Sequence, residues 1–468
     1  MGLYRCVSIT ARYDAAHPLA REAWDVWIRT ALASLVEEEP FLRVGIADED
    51  SASPCFVHLR EVDLGKQVIW HAPPRAADEG AYHAQLSDLL GRGHSSLWPD
   101  TENRPPWKVT VVDRSDGASA SRSVDVVFSW HHAIGDGLSG KLFHERLLAA
   151  LREHDVPAGH APLESPVLRF ADAPVLPPPQ EEAVKFTVSW WFMLKTLWQE
   201  VAPSFLIRKP EAPWAGCQIN LNAPFKTNVC LLSLDEKTGG DVLAVCRMHG
   251  TTLTGLVHAL TVLSLARQLP TEHVFNSQTP ISLRPYASAP GFDLSRSMSV
   301  LVSVYAHCFP PEQIRSIQYL LSEGKYDAKL DEKVWELAAG VKADLKRRTG
   351  ELPADDTVGL LRYVGDMRER FKKMDGKSMS TSFEVSNVGV FDGGDPSESL
   401  RITSLIFSQS ANLVGNAMNV NVAGCRGSGV TITFAWQDSY VDHELVEGVR
   451  EDVDTWLKNL ARSGKLQH

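Results

Sequence analysis

The chain has little cysteine, and no arrangement of cysteines that would form a redox pair. Its 468 residues include seven cysteines, and no two of them have the CxxC spacing. An odd, scattered set of thiols is typical of a reducing compartment, where each thiol packs as a small apolar group. Because no secretory leader precedes the first strand-like segment, we expect a cytoplasmic protein.

Long apolar runs and basic tracts are missing as well. The most membrane-like segment, residues 186–198, holds only nine uncharged residues between Lys185 and Lys195, whereas crossing a bilayer takes about 20. We interpret it as a buried helix or a tunnel wall and expect no membrane contact, although an interfacial helix is an alternative. The net charge is −11, and with no Lys/Arg tract we expect no nucleic-acid partner.

The composition is that of an ordinary globular enzyme. Hydrophobic residues make up 44% and charged residues 22% of the chain, and the length favours two or three domains. No GxSxG nucleophile elbow is present, which disfavours a serine hydrolase. We expect a monomer.

The order of helix-like and strand-like segments predicts two lobes. Residues 1–156 alternate strands and helices, residues 183–468 do so again, and residues 157–182 form a proline-rich crossover, because repeated prolines sustain neither a helix interior nor a central strand. We therefore predict an α/β (α+β) fold of two lobes, each a mixed sheet with helices.

A histidine pair marks the richest stretch of the sequence, residues 131–137 (HHAIGDG). It follows a strand-like run, residues 122–130, and precedes a helix-like run, residues 138–151. An imidazole has the unperturbed pKa nearest neutrality, so it can accept and return a proton within one catalytic cycle. Adjacent residues at a strand end point to opposite sides, and no third ligand cluster is evident, so we predict no metal site.

This stretch resembles the HHxxxDG signature of the CoA-dependent acyltransferase superfamily, which includes chloramphenicol acetyltransferase. The match extends to HHxxxDGxS with Ser139, and the likeness covers roughly residues 3–460. Residues 249–253, 281–285 (ISLRP) and 386–389 (SNVG) resemble further segments of these proteins. The DFGWG segment of the plant branch is missing, so the chain is most similar to the alcohol acetyltransferase and condensation-domain-like branches.

The resemblance implies roles for individual residues. His132 would be the general base, in a tunnel between two chloramphenicol-acetyltransferase-like lobes. Asp136, grouped with it as catalytic, would not relay protons but would pair with Arg284 and hold the motif loop. His131 and Gly137 would support the loop, the glycine through its backbone conformation and the close approach of substrate.

Substrate contacts are expected from Asn387, Gln409 and Ser139. With no cofactor held tightly, the resemblance implies acyl-CoA as co-substrate and a small hydroxylated metabolite as acceptor, joined by direct transfer in a ternary complex. A carrier-protein thioester supplied in trans, an amine acceptor, and a non-acylating binding protein, isomerase or cyclase on the same fold stay open.

Overall fold

The computed structural model describes most of the chain. The described residues are 2–72, 76–114, 120–154, 165–201, 212–269, 273–322 and 328–467, with only the backbone described for 199–201. The first part of the predicted crossover, residues 157–164, lies outside them. Its remainder, 165–182, includes a three-residue strand, Val167–Arg169, and otherwise has little regular structure before its last residues.

Fifteen strands lie within the described residues, and we number them in chain order. They are β1 (Val7–Ala20), β2 (Val44–Ala47), β3 (Cys55–His58), β4 (Glu61–Asp63), β5 (Val68–His71), β6 (Trp107–Asp113), β7 (Ala120–Trp130), β8 (Val167–Arg169), β9 (Thr227–Leu234), β10 (Phe275–Ser282), β11 (Val302–Phe309), β12 (Thr381–Phe391), β13 (Leu400–Gln409), β14 (Asn416–Cys425) and β15 (Gly429–Gln437).

Twelve α-helices lie in the same described part of the chain. They are α1 (Arg21–Glu38), α2 (Leu64–Gln67), α3 (Glu79–Ser95), α4 (Gly137–Glu153), α5 (Gln180–Ala183), α6 (Trp190–Val201), α7 (Glu236–Met248), α8 (Leu253–Gln268), α9 (Pro311–Ser322), α10 (Ala328–Glu351), α11 (Met367–Lys372) and α12 (His443–Ser463).

Two mixed sheets organise the molecule. The first has the order β13-β1-β7-β6-β5, and the second has the order β11-β10-β12-β14-β15-β9. Helices α1 and α4 cover one face of the first sheet and α3 covers the other. Helices α7, α8, α10 and α12 pack against the second sheet. The predicted fold, two lobes that each combine a mixed sheet with helices, is confirmed.

Helix α8 lies at the centre of the core of the second sheet, where this mostly apolar helix is buried on all sides. Its residues from Leu256 to Leu265 are buried, and a helix that is hydrophobic all round is stable only when neighbours enclose it. Thr252 caps the helix, since its side chain accepts a hydrogen bond from the Gly255 backbone N–H at 3.2 Å. Such a cap satisfies one of the amide groups that the first helical turn leaves free.

Strand β13 departs from the predicted division of the chain. The sequence placed it in the second lobe with the rest of 183–468, but it pairs antiparallel with β1 as the edge of the first sheet. Its residues Leu400, Ile402 and Leu405 lie in the first core. A strand is assigned to a sheet by its hydrogen-bonding partner, which its own sequence does not reveal.

The free edge of β13 is closed by hydroxyl groups of the second sheet. Thr431 Oγ1 donates to the Leu405 carbonyl at 2.6 Å, and Thr433 Oγ1 donates to the Phe407 carbonyl at 2.6 Å. Alternate carbonyls of an edge strand point away from its partner and are costly to bury without a donor. The two threonines of β15 therefore join the sheets along their seam.

Helix α6 corrects the expectation for residues 186–198. Trp190, Trp191 and Trp198 are 76%, 77% and 57% exposed, and Leu194 and Leu197 are also exposed. The helix is therefore neither a core helix nor a tunnel wall. Composition does not predict the exposure of this helix, because an apolar face looks the same in the sequence whether or not another element covers it. No helix among the described residues is long and apolar enough to cross a membrane.

The seam can be tested by Thr433→Val, which removes a hydroxyl but nearly preserves shape. We expect the free energy of unfolding to fall by about 1–3 kcal/mol, because the Phe407 carbonyl and the Asn421 amide lose a buried partner. Urea denaturation measures the change. The same substitution at the exposed Thr349 is the control, and we expect it to cost less than about 0.5 kcal/mol. Equal costs at the two sites would contradict this account of the seam.

Candidate active site

A cavity of about 260 Å³ lies between the two sheets. Both halves of the chain contribute to its wall. The lining residues are Tyr4, Val7, His132, Asp136, Gly137, Gln278, Pro280, Val302, Val304, Glu384, Ser386, Phe407, Gln409, Asn412, Val414 and Gly415. The cavity therefore occupies the interface predicted for the active site, and its lining includes the predicted residues His132, Asp136, Gly137 and Gln409.

The motif loop is a tight connection between β7 and α4. The chain leaves the sheet at Trp130, makes a 3-10 turn over His132–Ile134, and enters α4 at Gly137. Asp136 is the N-cap of α4 and forms a capping box with Ser139. Reciprocal capping of this kind fixes the direction in which a helix begins, and here it fixes the loop that carries His132.

Trp130, the last residue of β7, stabilises the motif loop through a hydrogen bond. Its indole Nε1 donates to the Gly135 carbonyl at 2.8 Å. Gly140, in the first turn of α4, lies against the same ring, because a Cβ atom there would come within 2.2 Å of it. The absence of a side chain at Gly140 thus lets α4 approach the end of the strand closely.

His132 presents its imidazole to the cavity. The ring lies edge-on to the Tyr4 ring, with centroids 5.1 Å apart. Burial lowers the pKa of His132, against opposing contributions from a hydrogen bond to its own backbone carbonyl and from the charge of Asp136. A neutral imidazole carries a proton on one ring nitrogen and a lone pair on the other, so the neutral ring can accept a proton.

His131 turns the other way, as expected for neighbours at a strand end. Its Nε2 lies 3.5 Å from Glu49 Oε1, and its Nδ1 accepts from the Ala133 backbone N–H at 3.1 Å. Hydrogen bonding to His131 is the largest cause that lowers the pKa of Glu49. His131 does not line the cavity and contacts only groups outside it, which fits a supporting role.

Asp136 and Arg284 form the predicted ion pair. Arg284 Nη1 lies 2.6 Å from Asp136 Oδ2, and Nη2 lies 3.0 Å from Oδ1. Both side chains are buried. The planar guanidinium and the carboxylate meet in a bidentate pair, the geometry that gives arginine its strongest carboxylate contacts.

The remaining lone pairs of Asp136 are also occupied. Its carboxylate accepts from the backbone N–H groups of Ser139 and Leu301 and from the Ser139 hydroxyl, at 3.0–3.1 Å. No hydrogen bond to His132 appears among these contacts. Asp136 is therefore committed to holding the loop, and its influence on the imidazole is electrostatic.

One predicted residue has another position than expected. Ser139 is fully buried and bonded to Asp136 and to Ser299, so we correct it from substrate contact to loop support. Gly137 lines the cavity, and the close approach of substrate to it stays a prediction. It needs no unusual backbone angle, and a Cβ there would come within 3.1 Å of Phe407 and Val388.

Asn387 is also not a lining residue. It is exposed, its Nδ2 donates to Thr254 Oγ1 at 3.0 Å, and its Oδ1 accepts from the Gly389 N–H at 2.8 Å. Gly389 has φ +78°, a conformation that favours glycine. The SNVG segment thus forms an irregular turn in β12, and alternation along the strand gives the cavity Ser386 instead.

A polar network that the sequence did not reveal forms one wall of the cavity. Tyr4 donates its hydroxyl hydrogen to Gln409 Oε1. Gln409 Nε2 donates to Asn421 Oδ1 at 2.5 Å and lies 3.4 Å from Glu384 Oε1. Gln278 Nε2 donates to Glu384 Oε2 at 2.6 Å. These groups come from strands far apart in the chain, so no local motif unites them.

The fold is shared with solved two-lobed acyltransferases. The TRI3 trichothecene 15-O-acetyltransferase from Fusarium sporotrichioides matches with a TM-score of 0.69 at 14% identity, over 98% of this chain and 91% of that chain. The condensation domain from the monacolin K polyketide synthase MokA matches with a TM-score of 0.52 at 14% identity, over 99% and 94%. The class is therefore the chloramphenicol-acetyltransferase-like acyltransferase fold.

The family follows from sequence similarity. The family model for alcohol acetyltransferase matches residues 76–447. "Probable alcohol acetyltransferase FCK4" of Fusarium pseudograminearum (strain CS3096) is 34% identical over 446 residues, 94% of this chain and 87% of that protein. "Probable alcohol acetyltransferase crmB" of Aspergillus fumigatus is 22% identical, over 97% and 95%. The chain belongs to the alcohol acetyltransferase family, whose members transfer an acyl group from a donor to an alcohol.

The ion pair between the lobes can be tested by a double-mutant cycle. We expect Asp136→Asn and Arg284→Met each to lower the free energy of unfolding by about 3–5 kcal/mol, because each leaves a buried charge unpaired. The double variant should cost clearly less than the sum of the two. Urea denaturation measures all three, and strictly additive losses would contradict the coupling.

Proposed function

We propose that this protein is an acyl-CoA-dependent O-acyltransferase, with acetyl as the expected acyl group, that acts on a small hydroxylated metabolite. One observation carries the proposal. A partly buried imidazole, His132, lines a cavity at the join of the two lobes, and its lowered pKa keeps it neutral. A neutral imidazole with a free lone pair can accept the hydroxyl proton as the alcohol attacks.

Direct transfer fits the side chains that the cavity presents. The hydroxyl oxygen attacks the thioester carbonyl while His132 takes the proton. When the tetrahedral intermediate collapses, the carbon–sulfur bond breaks and His132 returns the proton to the CoA thiolate. No serine or cysteine beside His132 is needed as an acyl carrier, because each substrate bond is made and broken within the ternary complex.

The apolar part of the cavity wall supports transfer to the alcohol over transfer to water. Val7, Val302, Val304 and Phe407 line it together with the polar network. Water competes with the acceptor as a nucleophile, and apolar walls that fit the substrates leave little room for it. The same walls lower the local dielectric, which strengthens the interactions that orient the reacting groups.

His132→Ala tests the proposed base. We expect thiol release from acetyl-CoA with an accepted alcohol to fall by about 10²–10⁴-fold, the usual contribution of a positioned general base. Circular dichroism should be unchanged. His131→Ala is the matched control; its ring faces Glu49 outside the cavity, so we expect a loss of less than about tenfold, as for an ion pair near the surface. Equal losses in the two variants would contradict the assignment.

The pH dependence of kcat/KM gives an independent test. His132 must be unprotonated to act, so kcat/KM should rise with pH through the pKa of the free enzyme and then level off. Because burial lowers that pKa, the midpoint should lie below the ordinary histidine value of about 6.5. A midpoint above that value would contradict a buried neutral base.

A further inference from the structure

Glu384 is a buried carboxyl group that the proposed acyl transfer does not use. It lines the same cavity as His132 and is only 8% exposed. Among the described residues, no lysine, arginine or histidine forms an ion pair with it. Its hydrogen-bond partners in the described part of the chain are two neutral amides, Gln278 Nε2 at 2.6 Å and Gln409 Nε2 at 3.4 Å. Buried carboxyl groups are usually compensated by a cation or by several good hydrogen bonds.

The position of Glu384 directs it toward a ligand. Alternation along β12 gives Glu384 and Ser386 to the cavity and Phe383 and Val385 to the core behind the sheet. In the neighbouring strand, Gln278 pairs in register with Glu384 and also lines the cavity. Within the described residues, Oε1 of Glu384 accepts one hydrogen bond, which is long at 3.4 Å, so this oxygen has room to accept a further hydrogen bond.

We propose that Glu384 binds a second hydrogen-bond donor on the acceptor, a hydroxyl or a protonated amine apart from the hydroxyl that is acylated. The proposal rests on the proposed function and names its substrate class, diols and amino alcohols in preference to monohydric alcohols. Burial raises the pKa of Glu384, which is the direction expected for a carboxyl that lacks a partner until substrate binds.

The rest of the wall fits an acceptor with one polar and one apolar part. Polar groups cluster around Glu384, whereas Val302, Val304 and Phe407 form apolar surface in the same cavity. A site with a few placed polar groups in an otherwise apolar wall orients its ligand by those groups. Losing a hydrogen bond to a charged or buried carboxyl penalises the analogue that lacks the donor.

The test compares terminal diols of butane, pentane and hexane, the corresponding amino alcohols, and the monohydric alcohols of equal chain length. For wild type and Glu384→Gln, kcat/KM is measured with acetyl-CoA. We expect the variant to lose about 10- to 100-fold with at least one diol or amino alcohol, and less than about threefold with the monohydric alcohols. The loss should fall mainly on KM, because Glu384 binds the acceptor and does not move the reacting proton.

Two outcomes would overturn the proposal. Equal losses with every alcohol would assign Glu384 to holding Gln278 and Gln409 in place. A loss confined to kcat for all acceptors would assign it to a step common to them. If Glu384→Gln folds poorly, Glu384→Met replaces it in the same comparison of diols with monohydric alcohols. A second fallback measures the preference of the wild-type enzyme for diols as the pH is lowered through the raised pKa of Glu384.

The control variant is Asp452→Asn. Asp452 is also a buried carboxyl whose pKa burial raises, but it lies on α12 beside Ser264 and Arg267, away from the cavity. We expect it to leave the ratio of diol to monohydric activity unchanged. A change in that ratio equal to the change in Glu384→Gln would count against a specific contact.

Binding to His132→Ala separates this proposal from the proposed function. Calorimetric titration of this variant with the diols requires no turnover. Binding that weakens on adding Glu384→Gln supports the contact even if no alcohol is acylated. If turnover depends on His132 but diol binding is unchanged by Glu384→Gln, the proposed contact of Glu384 is wrong. The acyltransferase proposal is then still supported.

Discussion

The buried pair of Asp136 and Arg284 is the constraint on which the site depends. It joins the loop after β7 to the end of β10, and so ties together two halves of the chain that are separated by 148 positions. Two charges removed from water need good geometry and saturated hydrogen bonds to be tolerated. The bidentate contact supplies the geometry, the α4 cap and the Leu301 amide complete the hydrogen bonds of the Asp136 carboxylate, and the loop that carries His132 is fixed as a consequence.

The two sheets are also joined by hydrogen bonds between uncharged groups. Strand β13 crosses from the second half of the chain to the edge of the first sheet, and Thr431 and Thr433 satisfy its outward carbonyls. Phe407 and Gln409 at the end of this strand then become cavity wall. Because β13 joins the first sheet and its outer edge is satisfied by β15, side chains from the second half of the chain also lie beside His132.

The sequence predicted those features that depend on neighbouring residues in the chain or on a recognisable family motif. The motif loop and the Asp136–Arg284 pair were predicted from residue types at short spacings and from a family signature, and both are present. Ser139, Asn387 and Glu384 were misplaced or missed, because the side of a strand or turn that faces the cavity depends on its register with distant partners. The exposed face of α6 was missed for a related reason, because the sequence does not show whether another element covers an apolar helix face.

Burial in the cavity favours the uncharged forms of His132 and Glu384, and this shapes the proposed chemistry. Burial lowers the pKa of His132 and raises the pKa of Glu384, so each group resists the charge that it would carry in water. In the proposed transfer, an imidazolium formed as the alcohol attacks would therefore be unstable there. The departing thiolate would be an unstable anion in the same medium, and transfer of the proton from His132 to sulfur would remove both charges at once. The polarity of the wall would thus favour collapse to products over an accumulated charged intermediate.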